Sequence, residues 1–328
     1  MKNINKLFII AIALFLILTA CKKDSKTTTV PPPTNSTDNY SSVKAFFAAN
    51  GAAMQTYTVN AITGGSFISP QGTTVTIPPN AFITIANAPV TGNVTIQFKD
   101  IYKKSDMLLS NMPTQLLQGD PLKSGGEFYI KALSNNSAIK LASGKKIAVS
   151  QPASLTGGLD TINAMQPFIQ TPFFLCPAQC PPTYAWDTSN TGIVSYYNTI
   201  GYVFNLYQFH APVDSGTWAN SDNATFFSAY QQTQLNIVAN DSVNKYGTYV
   251  FLLFKNLTSM VHVYNYYEMF PYSYAPIGLQ CTVVAVGVKN GTLYSAFVPI
   301  TISANQTIHF TLSPTTTSAF TTQVKTLD

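Results

Sequence analysis

Beyond residue 50 the apolar residues fall at every second position in short runs, and a period of two places successive side chains on opposite faces of a strand. Val94, Ile96 and Phe98 alternate with Thr95, Gln97 and Lys99, and Val75 and Ile77 alternate within residues 73–78. The same pattern predicts strands at 57–61, 66–69, 127–133 and 146–150, and a second set at 202–209, 234–239, 248–254, 260–264, 280–288, 293–302 and 307–312. Turn residues separate them: Gly64-Gly65, Pro70-Gln71-Gly72, and Asn290-Gly291, which is a two-residue hairpin signal because both central residues must reach positive φ. Short strands punctuated in this way specify a two-sheet sandwich or barrel rather than alternating strands and helices. Helical signals occur only at the ends. Asn39 is expected to cap a helix running from Tyr40 through Val43, Phe46 and Phe47 and stopped by Asn50-Gly51, and residues 315–327 read as a short amphipathic helix.

The first two dozen residues follow another rule. Lys2 and Lys6 precede an apolar run from Leu7 to Leu18, which is too short to cross a hydrocarbon core of ~30 Å and has the form of a cleavable signal. The run ends in Leu18-Thr19-Ala20-Cys21, which resembles a bacterial lipobox, with Cys21 as the residue that carries diacylglycerol. The plainer alternative is a secretory signal in which Cys21 is incidental. Residues 27–39 are Thr, Pro, Ser and Asn with almost nothing apolar, so they cannot bury enough surface to offset their ordering entropy. Pro31-Pro32-Pro33 would hold this stretch extended as a tether. The expected organisation is therefore mainly β, with two tandem β-sandwich-like regions after a disordered tether: signal 1–20, lipidated tether 21–39, short helix plus first sandwich 40–152, and second β-rich region 153–328.

Composition narrows the partners. The chain has 18 Lys and no Arg, so it lacks the planar fork used for bidentate phosphate or base-edge recognition. Loss of the signal removes Lys2 and Lys6 from a formal charge of only +5, which leaves no basis for nucleic-acid binding. Glu occurs only at Glu127 and Glu268, in different halves, where a glycosidase would need two carboxyls a fixed distance apart. Glu127 is read as a structural residue at a strand start, and Asp106 and Asp222 as turn residues. No nucleophile elbow, zinc-protease helix, P-loop or dinucleotide fingerprint is present, so neither a catalytic site, a metal nor a cofactor is expected.

Four cysteines divide by context. Cys176 and Cys180 flank a Pro-rich loop and would form a small disulfide in an oxidising compartment, with free thiols or a zinc site as the alternatives, while Cys281 in an apolar run is read as a buried, inert thiol.

Residues 72–82, Gly-Thr-Thr-Val-Thr-Ile-Pro-Pro-Asn-Ala-Phe, followed by Val90-Thr91-Gly92-Asn93-Val94-Thr95-Ile96, resemble the β-sandwich domain shared by ankyrins, netrin receptors and zonula occludens proteins. Lys103 to Leu108 and Leu122 to Phe128 resemble a group of Bacteroidota envelope lipoproteins, and Lys22 after the cysteine resembles lipoproteins released to an outer membrane. The resemblance implies a fold and a location in the envelope, anchored in the membrane by lipid, and no known ligand. It also raises an autoproteolytic reading, because some eukaryotic relatives cut within His-Phe-Ser and this chain has His309-Phe310-Thr311, with Thr311 as nucleophile and His309 as base. These three residues also fit an ordinary alternating strand. Asp160-Thr161-Ile162 and Asp241-Ser242-Val243 resemble Bacteroidota O-glycosylation motifs, which marks Thr161 and Ser242 as candidate acceptors.

The expected role is non-catalytic: binding of a protein or glycan ligand at the cell surface, or a structural part in the envelope. For glycan binding the candidates are Trp186 and Trp218, with the tyrosines of residues 264–274. Aromatic rings in sandwiches usually belong to the core. The two readings separate on whether Trp186 and Trp218 line one open groove beside Asn or Asp.

Overall fold

A computed structural model describes residues 38–156, 165–173, 183–187, 193–197, 201–209, 216–240, 247–264 and 269–328. The chain is mainly β, and the described residues include three short α-helices: α1 (Val43–Asn50), α2 (Lys104–Leu109) and α3 (Thr317–Lys325).

The first sandwich faces a seven-stranded sheet against a five-stranded one. The larger runs in the order Gln55–Asn60, Asn93–Ile101, Lys123–Ser134, Thr217–Asn223, Gln166–Phe173, Thr183–Asp187, with Ser137–Ala138 added on Lys123–Ser134. The smaller runs Ile193–Tyr197, Gly201–Leu206, Ile147–Pro152, Thr74–Ile77, Gly65–Ile68. The alternation in the sequence is what buries Val94, Ile96 and Phe98 with Phe128 and Ile130 against Val75, Ile77, Val149 and Phe204. Each fully buried ring or branched chain contributes roughly 1.5–3 kcal/mol by leaving water.

The second sandwich pairs a three-stranded sheet, Met269–Pro276, Gln232–Ala239, Gln306–Phe310, with a five-stranded one, Met260–Val263, Thr248–Phe254, Gln280–Lys289, Thr292–Thr301, Ser313–Thr315. Leu235, Ile237, Val250, Leu252, Phe254, Val283 and Phe310 fill its core. Gln232–Ala239 and Gln306–Phe310 run parallel, which a hairpin-by-hairpin reading does not anticipate.

A third core lies on the outer face of that five-stranded sheet. Phe251, Leu253, Val284 and Val286 pack there with Phe46 and Phe47 of α1, Phe320 and Val324 of α3, and Ile101, Phe168 and Trp186 of the first sandwich. Covered on both faces, Thr248–Phe254 reads as a continuous apolar run rather than as an alternation. Phe46 and Phe320 meet edge-on with ring centroids 5.5 Å apart.

Three expectations change. The boundary at residue 152 is not a domain boundary in hydrogen bonding: Ile147–Pro152 pairs with Gly201–Leu206, and Lys123–Ser134 with Thr217–Asn223. Residues after 152 therefore complete the first sandwich, and the strands of the second begin at Gln232. The misplacement has a physical cause, since Gln166–Phe173 contains two prolines and Thr217–Asn223 is almost wholly polar, so neither reads as an interior strand. The cap of α1 is Ser42, whose hydroxyl accepts from Ala45 N at 3.1 Å, and not Asn39, because the helix starts at Val43. Asp106 and Asp222 are not turn residues either: the first lies in α2 and the second in Thr217–Asn223. The hairpin at Asn290-Gly291 forms as expected, with φ of 51° and 82° and Lys289 opposite Thr292.

Candidate functional site

On the outer face of the seven-stranded sheet the register sets Lys99 opposite Tyr129 and Tyr129 opposite Trp218, a row across three adjacent strands. The Tyr129 and Trp218 rings lie 5.4 Å apart, tilted by 58°, and Lys99 Nζ stands 5.9 Å from the centroid of the Trp218 ring. Gly216 makes room for this row. Its φ is +78°, and a Cβ there would strike the Tyr129 phenol ring.

Lys99 and Trp218 of this row form one wall of a 250 Å³ pocket, and α1 with the residues just after it, Ser110 and Asn111 supply the rest. Trp218 is only half-buried, so part of its indole faces the opening. Asn111 follows α2 with φ of +52°, and its side-chain Oδ1 is buried without a hydrogen-bond partner. Lys44 and Lys99 also line the pocket, and no Asp or Glu is among its described lining residues. Desolvation holds the Lys99 ammonium below its ordinary pKa, so it sits at the rim as a cation short of solvent. The arrangement offers an aromatic face, an unpartnered acceptor and cationic donors.

A scan of protein-family models and a search of curated proteins each find no match to this chain.

Trp186 does not belong to this pocket. It is 1% exposed, its Nε1 donates to the Pro113 carbonyl at 2.9 Å, and it packs in the third core. The expectation that it stacks on a ligand is therefore corrected: a ring on a strand between sheet and helix has its polar handle satisfied inside the protein. Tyr272 is likewise buried, its hydroxyl donating to Gly119 O at 3.1 Å, whereas Tyr264 and Tyr274 are half-buried. His309 and Thr311 both stand exposed at the end of their strand, tied to one residue: His309 Nδ1 lies 3.0 Å from Asn240 Oδ1, and Asn240 Nδ2 donates to Thr311 Oγ1 at 3.2 Å. Asn240 lies between the two side chains that the autoproteolytic reading would couple.

A larger cleft of 510 Å³ lies elsewhere, where Lys104, Lys255, Gln280, Cys281 and Asp328 converge. Lys104 and Asp328 are engaged within the protein. Lys104 Nζ donates to Phe254 O at 2.7 Å, and burial brings its pKa down to about 8 against the opposing pull of Asp328. Asp328 accepts from Ser105 N and Ser105 Oγ, both at 2.8 Å, at the start of α2. Burial pushes the Cys281 thiol up to about 12, so no thiolate exists at neutral pH and the thiol is inert, as its apolar run implies. His262 is also buried, stacked against Tyr249 at 5.1 Å and Phe251 at 4.8 Å, and burial lowers its pKa to about 3, leaving it neutral.

The sequence gives no signal for a second polar cluster. Glu127 and Asp222 are both 0% exposed on adjacent strands, with Asn220 directly opposite Glu127. Asn220 Nδ2 donates to an Asp222 oxygen at 2.7 Å, Ser124 Oγ donates to Asn220 Oδ1 at 3.0 Å, and both Glu127 oxygens lack partners. Desolvation raises both carboxyl pKa values well above the usual range. The Asp222 charge adds to this for Glu127, while hydrogen bonds from Ser124, Asn220 and the Gly125 backbone oppose it for Asp222.

Cys21, Thr161, Cys176, Cys180 and Ser242 lie outside the described residues. Among the described residues no three His, Cys, Asp or Glu side chains converge as a metal site requires, and no helix is long and apolar enough to cross a membrane. Sequence reasoning missed Asn111 and Lys99 as pocket residues. The one available signal for Lys99 was its place on the polar side of the 94–102 alternation, opposite Phe98.

Proposed function

We propose that this chain is a lipid-anchored envelope protein, held through Cys21 at an outer membrane, whose double-sandwich body binds a glycan without catalysis at the Trp218 pocket. One observation carries the glycan reading: a half-buried indole set on a rigid sheet beside a buried, unpartnered amide oxygen. Sugars present an apolar ring face and outward hydroxyls, and these two features complement an indole and a free acceptor. The anchor is supported by the charged start, the short apolar run and the lipobox resemblance at residues 18–21. The resemblance of residues 72–96 to the ankyrin and netrin-receptor sandwich is in keeping with the two-sheet core in which they lie.

Both halves of the proposal are testable together. Cys21→Ala is expected to move the protein from the membrane to the soluble envelope fraction and to abolish labelling by a fatty-acid analogue; persistent labelling would refute the anchor. On a glycan array the full chain should mark a restricted set of glycans, and Trp218→Ala should weaken that binding roughly fivefold or more, taking the about 1–3 kcal/mol of a base stacked on an aromatic ring as the scale. An unchanged array pattern in Trp218→Ala would refute the site.

A further inference from the structure

We infer that the Trp218 pocket selects a carboxylated sugar, a uronic-acid type of ring, over a neutral one; this rests on the glycan reading above. The inference comes from the polarity of the lining rather than from the indole. Lys99 places its ammonium over the Trp218 ring, 5.9 Å from the centroid, and the exposed Lys44 also lines the pocket. No described carboxylate lines the pocket to neutralise either cation.

Ser110 adds a donor, since its Oγ accepts from Ala52 N at 3.0 Å and keeps its own hydrogen for a ligand. Asn111 Oδ1 is the complementary acceptor and matches a sugar hydroxyl rather than a carboxylate. The pocket thus separates the functions one acidic pyranose needs: an apolar face for the ring, an acceptor for one hydroxyl, and ammonium donors for the carboxylate. At 250 Å³ it falls below the ~300–1,000 Å³ of pockets for drug-sized ligands, so it admits one ring of a longer chain. Partial desolvation of Lys99 sharpens the preference, because a cation short of water gains more from an anion than a solvated one does.

The test titrates the full chain in detergent with cellobiouronic acid, with cellobiose, and with cellobiose sulfated on the terminal ring, and follows tryptophan emission. Trp218 reports the pocket, and the buried Trp186 serves as the internal reference. The uronic disaccharide is expected to bind on the order of tenfold more tightly than cellobiose, the worth of one hydrogen bond to a charged group. Lys99→Gln should bring the ratio close to one, Lys99→Arg should keep most of it, and added salt should shrink it. Unfolding midpoints of the variants within a degree or so of wild type show that a lost preference is not lost folding. Equal binding of cellobiose and the acid would overturn this inference and leave the glycan reading intact. Equal or tighter binding of the sulfated sugar would overturn the choice of carboxylate. If no disaccharide changes the emission, the inference is overturned, and the array result decides the broader reading independently.

Discussion

Replacing Glu127 by Gln and Asp222 by Asn together is expected to make the protein more stable than the wild type at pH values well above the unfolded carboxyl range, and to remove most of the wild type's loss of stability as pH rises above about 5. Both carboxyls are fully buried, and desolvation raises both pKa values well above those of the unfolded chain. In the unfolded chain they ionise near pH 4, so above about pH 4 the folded state holds protons that the unfolded state has released. A raised folded pKa means that stability is fully present below the unfolded value and is lost as pH rises toward the folded value. The expected slope is about 1.4 kcal/mol per pH unit for each carboxyl over that window. The amides cannot ionise, and the double variant should show nearly flat stability across it. Urea unfolding at several pH values, with unchanged m, measures this directly. A wild type as flat as the variant would show that the pair is ionised or hydrated in the folded protein.

Phe251→Ala is expected to cost about 3–5 kcal/mol, as for other buried rings truncated in a packed core. The ring is 0% exposed and sits in the third core, 6.0 Å from Phe47 of α1 and 4.8 Å from His262. That core joins both sandwiches and the helices, so the loss should appear as one shifted calorimetric transition. Two separated transitions would mean that the strands up to Asn223 and those from Gln232 onward unfold as independent bodies.

Alternation made the strands of the first 150 residues legible, and most of the second set as well, because one face of each strand is buried and the other is not. It failed where a buried strand is polar. Thr217–Asn223 has the composition of a turn, yet six of its seven residues are buried. Asn220 and Asp222 pair with one another and with Ser124, an arrangement that depends on two distant segments meeting in register. The same non-local register creates the candidate site. Lys99, Tyr129 and Trp218 are separated by tens of residues, and no local motif signals that three strands will place them in one row. Trp186 and Trp218 look alike in sequence, and only the position of α2 and the Pro113 carbonyl distinguishes a core ring from a ligand-facing one. The resemblance to a lipobox, by contrast, is wholly local to residues 18–21.

The central claim, that a glycan is held against Trp218, is tested most directly by oxidative footprinting of the full chain with and without the glycan that gives the strongest array signal. Oxidation of Trp218 should fall severalfold in the bound state, because stacking a sugar on a half-buried indole removes its remaining exposure. Trp186, already 1% exposed, should remain unreactive in both states. Undiminished oxidation of Trp218 in the presence of a saturating glycan would contradict the account.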